Sequence, residues 1–190
     1  MKKIGLIVNP IAGMGGSVGL KGTDGVLEEA VKRGSLPKAL DKTKIFMEQL
    51  IGLENVLEII TCSSDMGENA TKLFKFNTKI IYSPQSNNTT SKDTIEAAKK
   101  MANEGVDLLI FTGGDGTARD IYKGAGEHVT TIGIPAGVKI HSSVFAKTPV
   151  NAGELAKLFI EEKTTITREA EVLDINEEEY RHGIVNTRLY

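Results

Sequence analysis

The sequence predicts an α/β fold, a doubly wound and mainly parallel sheet, followed by the start of a β-rich second domain. Three observations carry that expectation. Short apolar runs recur at Lys3–Val8, Val56–Thr61, Lys79–Tyr82, Val106–Phe111 and Thr130–Ile134. Segments with helical spacing separate them, and such alternation of strand and helix builds parallel sheets. The run Val106–Phe111 is apolar throughout, as suits a strand covered on both faces.

Each element has a local reason. Lys3–Val8 is stopped by Asn9-Pro10 and opens the fold as a buried strand. A glycine-dense loop follows through residue 25, where backbone must be either pliable or closely approached. Helices are expected around Val26–Arg33 and Lys38–Ile51, split by Gly34 and Pro37, and again over Asp65–Phe74. The helix from Ser91 to Glu104 starts at a Thr90 or Ser91 cap, places Ile95, Ala98, Met101 and Ala102 on one face, and stops at Gly105. Another helix begins near Thr117, and Asn151–Glu161 is amphipathic. After Glu162 the pattern turns β-rich: Thr164–Ile175 and Tyr180–Tyr190 flank the polar turn Asn176–Glu179 as in a hairpin. Residues 1–162 therefore form the expected α/β domain, and 163–190 the beginning of a second, incomplete one.

Composition narrows the function. The 190 residues are 40% hydrophobic with 20 glycines, enough apolar content for a core. The 23 basic and 25 acidic side chains give a net charge of −2, which argues against a general electrostatic grip on nucleic acid or an anionic membrane. No apolar stretch approaches the roughly 18 residues of a membrane span. Cys62 is the single cysteine, expected as a reduced thiol in or near the core of a cytoplasmic protein.

Three loops leave the carboxyl ends of predicted strands, where open α/β sheets bind ligands. The strongest signal is Gly113-Gly114-Asp115-Gly116-Thr117. Its glycines let backbone N–H groups close on a phosphate at a helix start. An aspartate there would repel that phosphate, so it implies a metal bridge or a hydroxyl whose proton it accepts; the plainer reading is a helix cap. The second loop, Asn9-Pro10-Ile11-Ala12-Gly13-Met14-Gly15-Gly16, would form the opposite wall of one crevice. In the third, Gly133 to Ser143, Lys139 could neutralise phosphate and His141, Ser142 and Ser143 could line a substrate pocket; a surface loop is the alternative.

Other chemistries fit poorly. No Gly-Lys-Ser/Thr ending marks a Walker loop, and G-x-G-x-x-G fails at Val18 and again at Arg119. Gly15-Gly16-Ser17-Val18-Gly19 has the letters of a nucleophile elbow, but Ser17 lies deep in a loop rather than at a strand-to-helix turn. His128, His141 and His182 show no metal-ligand spacing, so no direct side-chain metal cluster is expected.

The motif Gly113–Thr117 resembles the signature of the superfamily of NAD kinases, diacylglycerol kinases and sphingosine kinases, with phosphofructokinases as distant relatives. Asn9-Pro10 followed by Gly13 is similar to that group's first-strand motif. Ile134-Pro135-Ala136-Gly137-Val138-Lys139 with His141-Ser142 resembles the ATP-NAD kinase-like, acetoin-catabolism protein X-like subgroup. The resemblance implies a two-domain kinase with an NAD kinase/phosphofructokinase-like first domain, using ATP or polyphosphate with Mg²⁺ to phosphorylate the 2′-hydroxyl of NAD, as a homo-oligomer. Asp115 would be the base or orienting group. Asn9, Pro10, Gly13, Gly15, Gly16, Gly113, Gly114, Gly116 and Thr117 would hold nucleotide and phosphate, and Lys139, His141, Ser142, Ser143 and Asn186 the substrate. Where NAD kinases carry an Asn-acid pair in the β domain, this chain has Asn186-Thr187, and its third loop lacks the Asn-Asp of lipid kinases. Two other readings stay open: a kinase of another small hydroxyl compound, and a nucleotide-binding accessory protein without turnover.

Overall fold

The computed structural model describes residues 1–20, 23, 25–86, 88–137, 140–164, 166–175 and 187–189. Five parallel strands, β1 (Lys2–Val8), β2 (Leu57–Cys62), β3 (Asn77–Tyr82), β4 (Leu108–Gly113) and β5 (Thr131–Pro135), form one sheet in the order β3-β2-β1-β4-β5. The expected doubly wound α/β fold is what the chain adopts. β1 sits at the centre, in register with β2 through Ile4 and Ile59 and with β4 through Ile4 and Leu108. The order reverses beside β1, so the loops leaving β1 and β4 part at their carboxyl ends and open a crevice.

The pleat of β1 sorts its side chains between two cores. Ile4 and Leu6 pack with Phe46 and Met47 of α3 (Ala39–Glu48) and with Ala152 and Ala156 of α7 (Pro149–Ile160). Ile7 packs on the other face with Ala97, Ala98 and Met101 of α5 (Ser91–Asn103) and with Ala118 and Ile121 of α6 (Asp115–Ala125). Helices α5 and α6 approach so closely that a Cβ on Gly124 would overlap the Ile95 carbonyl oxygen. β3, at the edge, is largely exposed and carries Asn77, Thr78 and Lys79, polar residues that discourage pairing with another chain.

Several boundaries differ from expectation. The glycine-dense loop after β1 contains one helical turn, α1 (Met14–Ser17), before α2 (Leu27–Lys32). The segment expected as helix over 65–74 is a 3₁₀ turn, Ser64–Met66, and a single turn α4 (Glu68–Thr71), because Gly67 at φ 147° interrupts it. Of the two expected caps, Thr90 is the one used, and it closes a capping box with Asp93 at the start of α5. The buried face of α5 is Thr94, Ala97, Ala98 and Met101, with Ile95 only partly covered, because the small residues admit α6.

The later segment is less β-rich than expected. Described residues between 164 and 172 form no strand. Only β6 (Leu173–Ile175) does, pairing antiparallel with β7 (Thr187–Leu189) through Leu173 and Leu189. The expected turn Asn176–Glu179, with His182, lies outside the described residues. No helix among those described is long and apolar enough to cross a membrane. Cys62 is fully buried in the α5–α6 core, and burial pushes its thiol up to about 12, which keeps it protonated and unreactive.

Candidate active site

Buried Val8 delivers Asn9 to the carboxyl end of the sheet. The Asn9 N–H donates to the Thr112 carbonyl (3.0 Å), its Nδ2 to Thr117 Oγ1 (3.0 Å), and its Oδ1 accepts from the Ile11 N–H (3.3 Å). One side chain thus fastens the first loop to the start of α6 and shapes its own turn through Pro10. Gly13 then takes φ 79°, a left-handed conformation that glycine alone adopts without strain. A Cβ there would also sit on the Ala136 carbonyl oxygen, so the first and third loops touch through backbone. The Gly15 N–H is already engaged by Thr23 Oγ1 (3.0 Å), and the chain returns with Leu20 N–H on the Gly15 carbonyl (2.9 Å). Gly16 lies in the same helical turn.

β4 ends in Thr112-Gly113, and Gly114 is the extended residue before α6. Ala136 N–H donates to the Gly113 carbonyl (2.8 Å), which joins the second and third loops. Asp115 is the first helical residue, a position that favours an acid electrostatically. Its carboxylate does not cap its own helix. It reaches across to accept N–H bonds from His141 (2.9 Å) and Ser142 (2.9 Å). Nothing crowds a Cβ at Gly114, and Gly116 faces only the tip of Arg119, so the surface beside Asp115 is open.

Beneath this rim, Thr43 of α3 holds Thr112. Their buried hydroxyls lie 2.7 Å apart, and Thr43 Oγ1 also donates to the Ala39 carbonyl (2.9 Å). Thr43→Val should strip the Thr112 hydroxyl of this partner and lower stability by about 1–3 kcal/mol. Urea unfolding, read as a lower midpoint at unchanged slope, checks it.

The third loop is tied in two directions. While its amides meet Asp115, the Ser142 hydroxyl accepts from the Leu173 N–H (3.0 Å), and Ser143 places its N–H (2.9 Å) and its hydroxyl (3.3 Å) on the Glu171 carbonyl. The two serine hydroxyls therefore stitch the loop to the segment leading into β6. His141 is exposed. Lys139 and Asn186 lie outside the described residues. The structure thus brings Asn9, Gly13, Thr117, Asp115, His141 and Ser142 to one rim.

Pattern reading missed two cations. A cavity of about 160 Å³ opens between Ala12 and Gly13 of the first loop, Ala136 and Gly137 of the third, and Lys38 and Lys42 at the start of α3. Lys42 Nζ donates to the Pro135 carbonyl (2.9 Å). Burial, and then the neighbouring Lys38 charge, lower its pKa below the usual lysine range. Both lysines fall in the segment Lys38–Ile51 that the sequence marks only as a helix.

Residues 4–164 match the family described as ATP-NAD kinase N-terminal domain. The chain belongs to that family. The match runs from β1 through α7 and stops before β6, so the three loops of the crevice are all parts of the ATP-NAD kinase domain. Among solved structures, a protein described as a diacylglycerol kinase from Bacillus anthracis strain Sterne is 22% identical, with a TM-score of 0.45, covering 93% of this chain and 46% of its own. A second diacylglycerol kinase structure from that strain is 21% identical, with a TM-score of 0.41 and coverages of 93% and 47%. The chain spans a little under half the length of these proteins. No curated protein matches it.

Proposed function

We propose that this ATP-NAD kinase domain moves a phosphoryl group from ATP, or from polyphosphate, to the 2′-hydroxyl of NAD. The observation that supports the reading most is the carboxylate of Asp115 at the switch-point crevice of a domain of this family, next in the chain to the uncrowded Gly114 and Gly116. In this reaction the 2′-hydroxyl proton passes to Asp115. The 2′ oxygen bonds to the terminal phosphorus as the bond from that phosphorus to its bridging oxygen breaks. ADP, or a polyphosphate shortened by one unit, leaves, and the sum is NADP and one proton. Asn9 and Pro10 shape the nucleotide side, Gly13, Gly16, Gly113, Gly114, Gly116 and Thr117 approach the phosphates, and Lys139, His141 and Asn186 belong to the acceptor side. Asp115, together with the phosphates of a bound donor, would suit Mg²⁺, which would supply neutralisation of phosphate charge. We place the beginning of a second, β-rich unit after Glu162, on the β6–β7 pair.

One observation favours a second reading. The Asp115 carboxylate already accepts two backbone N–H bonds, as a loop latch would. A nucleotide-binding accessory protein without turnover would keep that latch and need no base. The deciding experiment is formation of NADP from NAD with ATP and Mg²⁺, read by an NADP-specific dehydrogenase. NADP is expected. Saturable ATP binding with no NADP overturns NAD as acceptor; other hydroxyl substrates, or the latch, then explain the site.

A further inference from the structure

We propose that the cavity bounded by Lys38 and Lys42 is a phosphate-binding subsite of this domain, holding the oxyanions of the phosphoryl donor. The proposal rests on the kinase reading for the word donor, and on the cavity itself for the anion. Among the described residues, its two charged lining residues are both lysines, and the rest of the lining is small or apolar apart from Ser17. The Ser17 hydroxyl is turned away onto the Met14 carbonyl and Ser35. One wall is backbone, because Gly13 leaves no space for a side chain against Ala136. The cavity lies at the carboxyl end of β5, on the same rim as the loop after β1.

Lys42 is the group that needs an explanation. It is half-buried, its ammonium is held by the Pro135 carbonyl, and among the described residues it meets no carboxylate. Asp41, next to it in sequence, pairs with Lys44 instead (3.2 Å). A partly buried ammonium beside a second lysine is unfavourable without a counter-charge. One carbonyl uses one of its three donors, which leaves the others for a ligand. A phosphate oxyanion would meet both lysines and relieve their repulsion, and such charge-assisted bonds are the strong kind.

The test is calorimetric titration of the full chain with ATP, inorganic tripolyphosphate and adenosine. Lys42→Met and the double variant Lys38→Met/Lys42→Met are compared with Lys44→Met, which removes an exposed lysine outside the cavity. We expect Lys42→Met to weaken ATP by about tenfold, the worth of one charge-assisted hydrogen bond. The double variant should weaken it further, and Lys44→Met should not. Adenosine should bind all variants alike. Thermal midpoints of the lysine variants should equal or exceed the wild type, since a strained charge is removed, and this shows that they fold. Tripolyphosphate weakened in parallel identifies any free phosphate chain as a ligand; weakening confined to ATP identifies the nucleotide's tail. Unchanged affinity of both in the double variant, or no binding of either by the wild type, overturns the subsite. NADP formation with an unaltered KM for ATP in the double variant overturns the subsite and leaves the kinase standing. Lysine-dependent phosphate binding without NADP formation does the reverse.

Discussion

Replacing Gly13 by alanine should cost the domain stability and nucleotide binding together. The left-handed backbone at this residue, φ 79°, disfavours any side chain by roughly 1–2 kcal/mol. The larger effect is steric. The added methyl would overlap the Ala136 carbonyl oxygen, which is backbone and cannot swing aside. Either the first loop or the third must retreat. Ala136 is fixed by its N–H bond to Gly113, and the first loop by Asn9 on Thr112 and Thr117, so the displacement spreads to all three loops of the crevice. Urea unfolding should show a lowered midpoint, and calorimetry a loss of ATP affinity beyond what the stability change explains. Wild-type values on both would mean that the loops are slack and that the contact is incidental.

Asp115→Asn should lower turnover by about 10²–10⁴-fold, the usual contribution of a positioned base, while ATP affinity changes far less. The His141 and Ser142 N–H groups donate to different oxygens of the carboxylate, so the substitution keeps an acceptor for one and turns an amide NH₂ toward the other. The third loop must loosen, and amide exchange at residues 141 and 142 should speed up. Steady-state rates and hydrogen exchange on the same variant separate the two roles. Faster exchange with full turnover would make Asp115 a positioning residue only. Lost turnover at retained affinity would place it at the transferred proton.

Much of the frame is legible in the sequence because it is local. β1, β4 and β5 are apolar runs that end in Asn-Pro, Gly-Gly or Pro, and a Thr90 or Ser91 cap announces α5. The crevice follows from strand order, which the alternation of elements, implying only a parallel sheet, does not fix. What escaped was long-range. Nothing in the pattern around Lys42 shows that its ammonium ends on the Pro135 carbonyl, 93 positions away. Nothing near Thr23 shows that its hydroxyl takes the Gly15 amide. Ser142 and Ser143 look like pocket residues by type, yet their hydroxyls are drawn to the backbone of Leu173 and Glu171. Of the expected β stretch Thr164–Ile175, the described residues form strand only at Leu173–Ile175, for β propensity without a paired neighbour is weak.

That stitch between the third loop and the approach to β6 has a mechanical meaning. Ser142 holds the Asp115 carboxylate by its amide and Leu173 by its hydroxyl, so a single residue is the fulcrum between them. A shift of the Leu173 backbone would therefore reach the third loop through that residue. Loop and strand approach are thereby geared together, and the crevice and the start of β6 keep one posture through one residue.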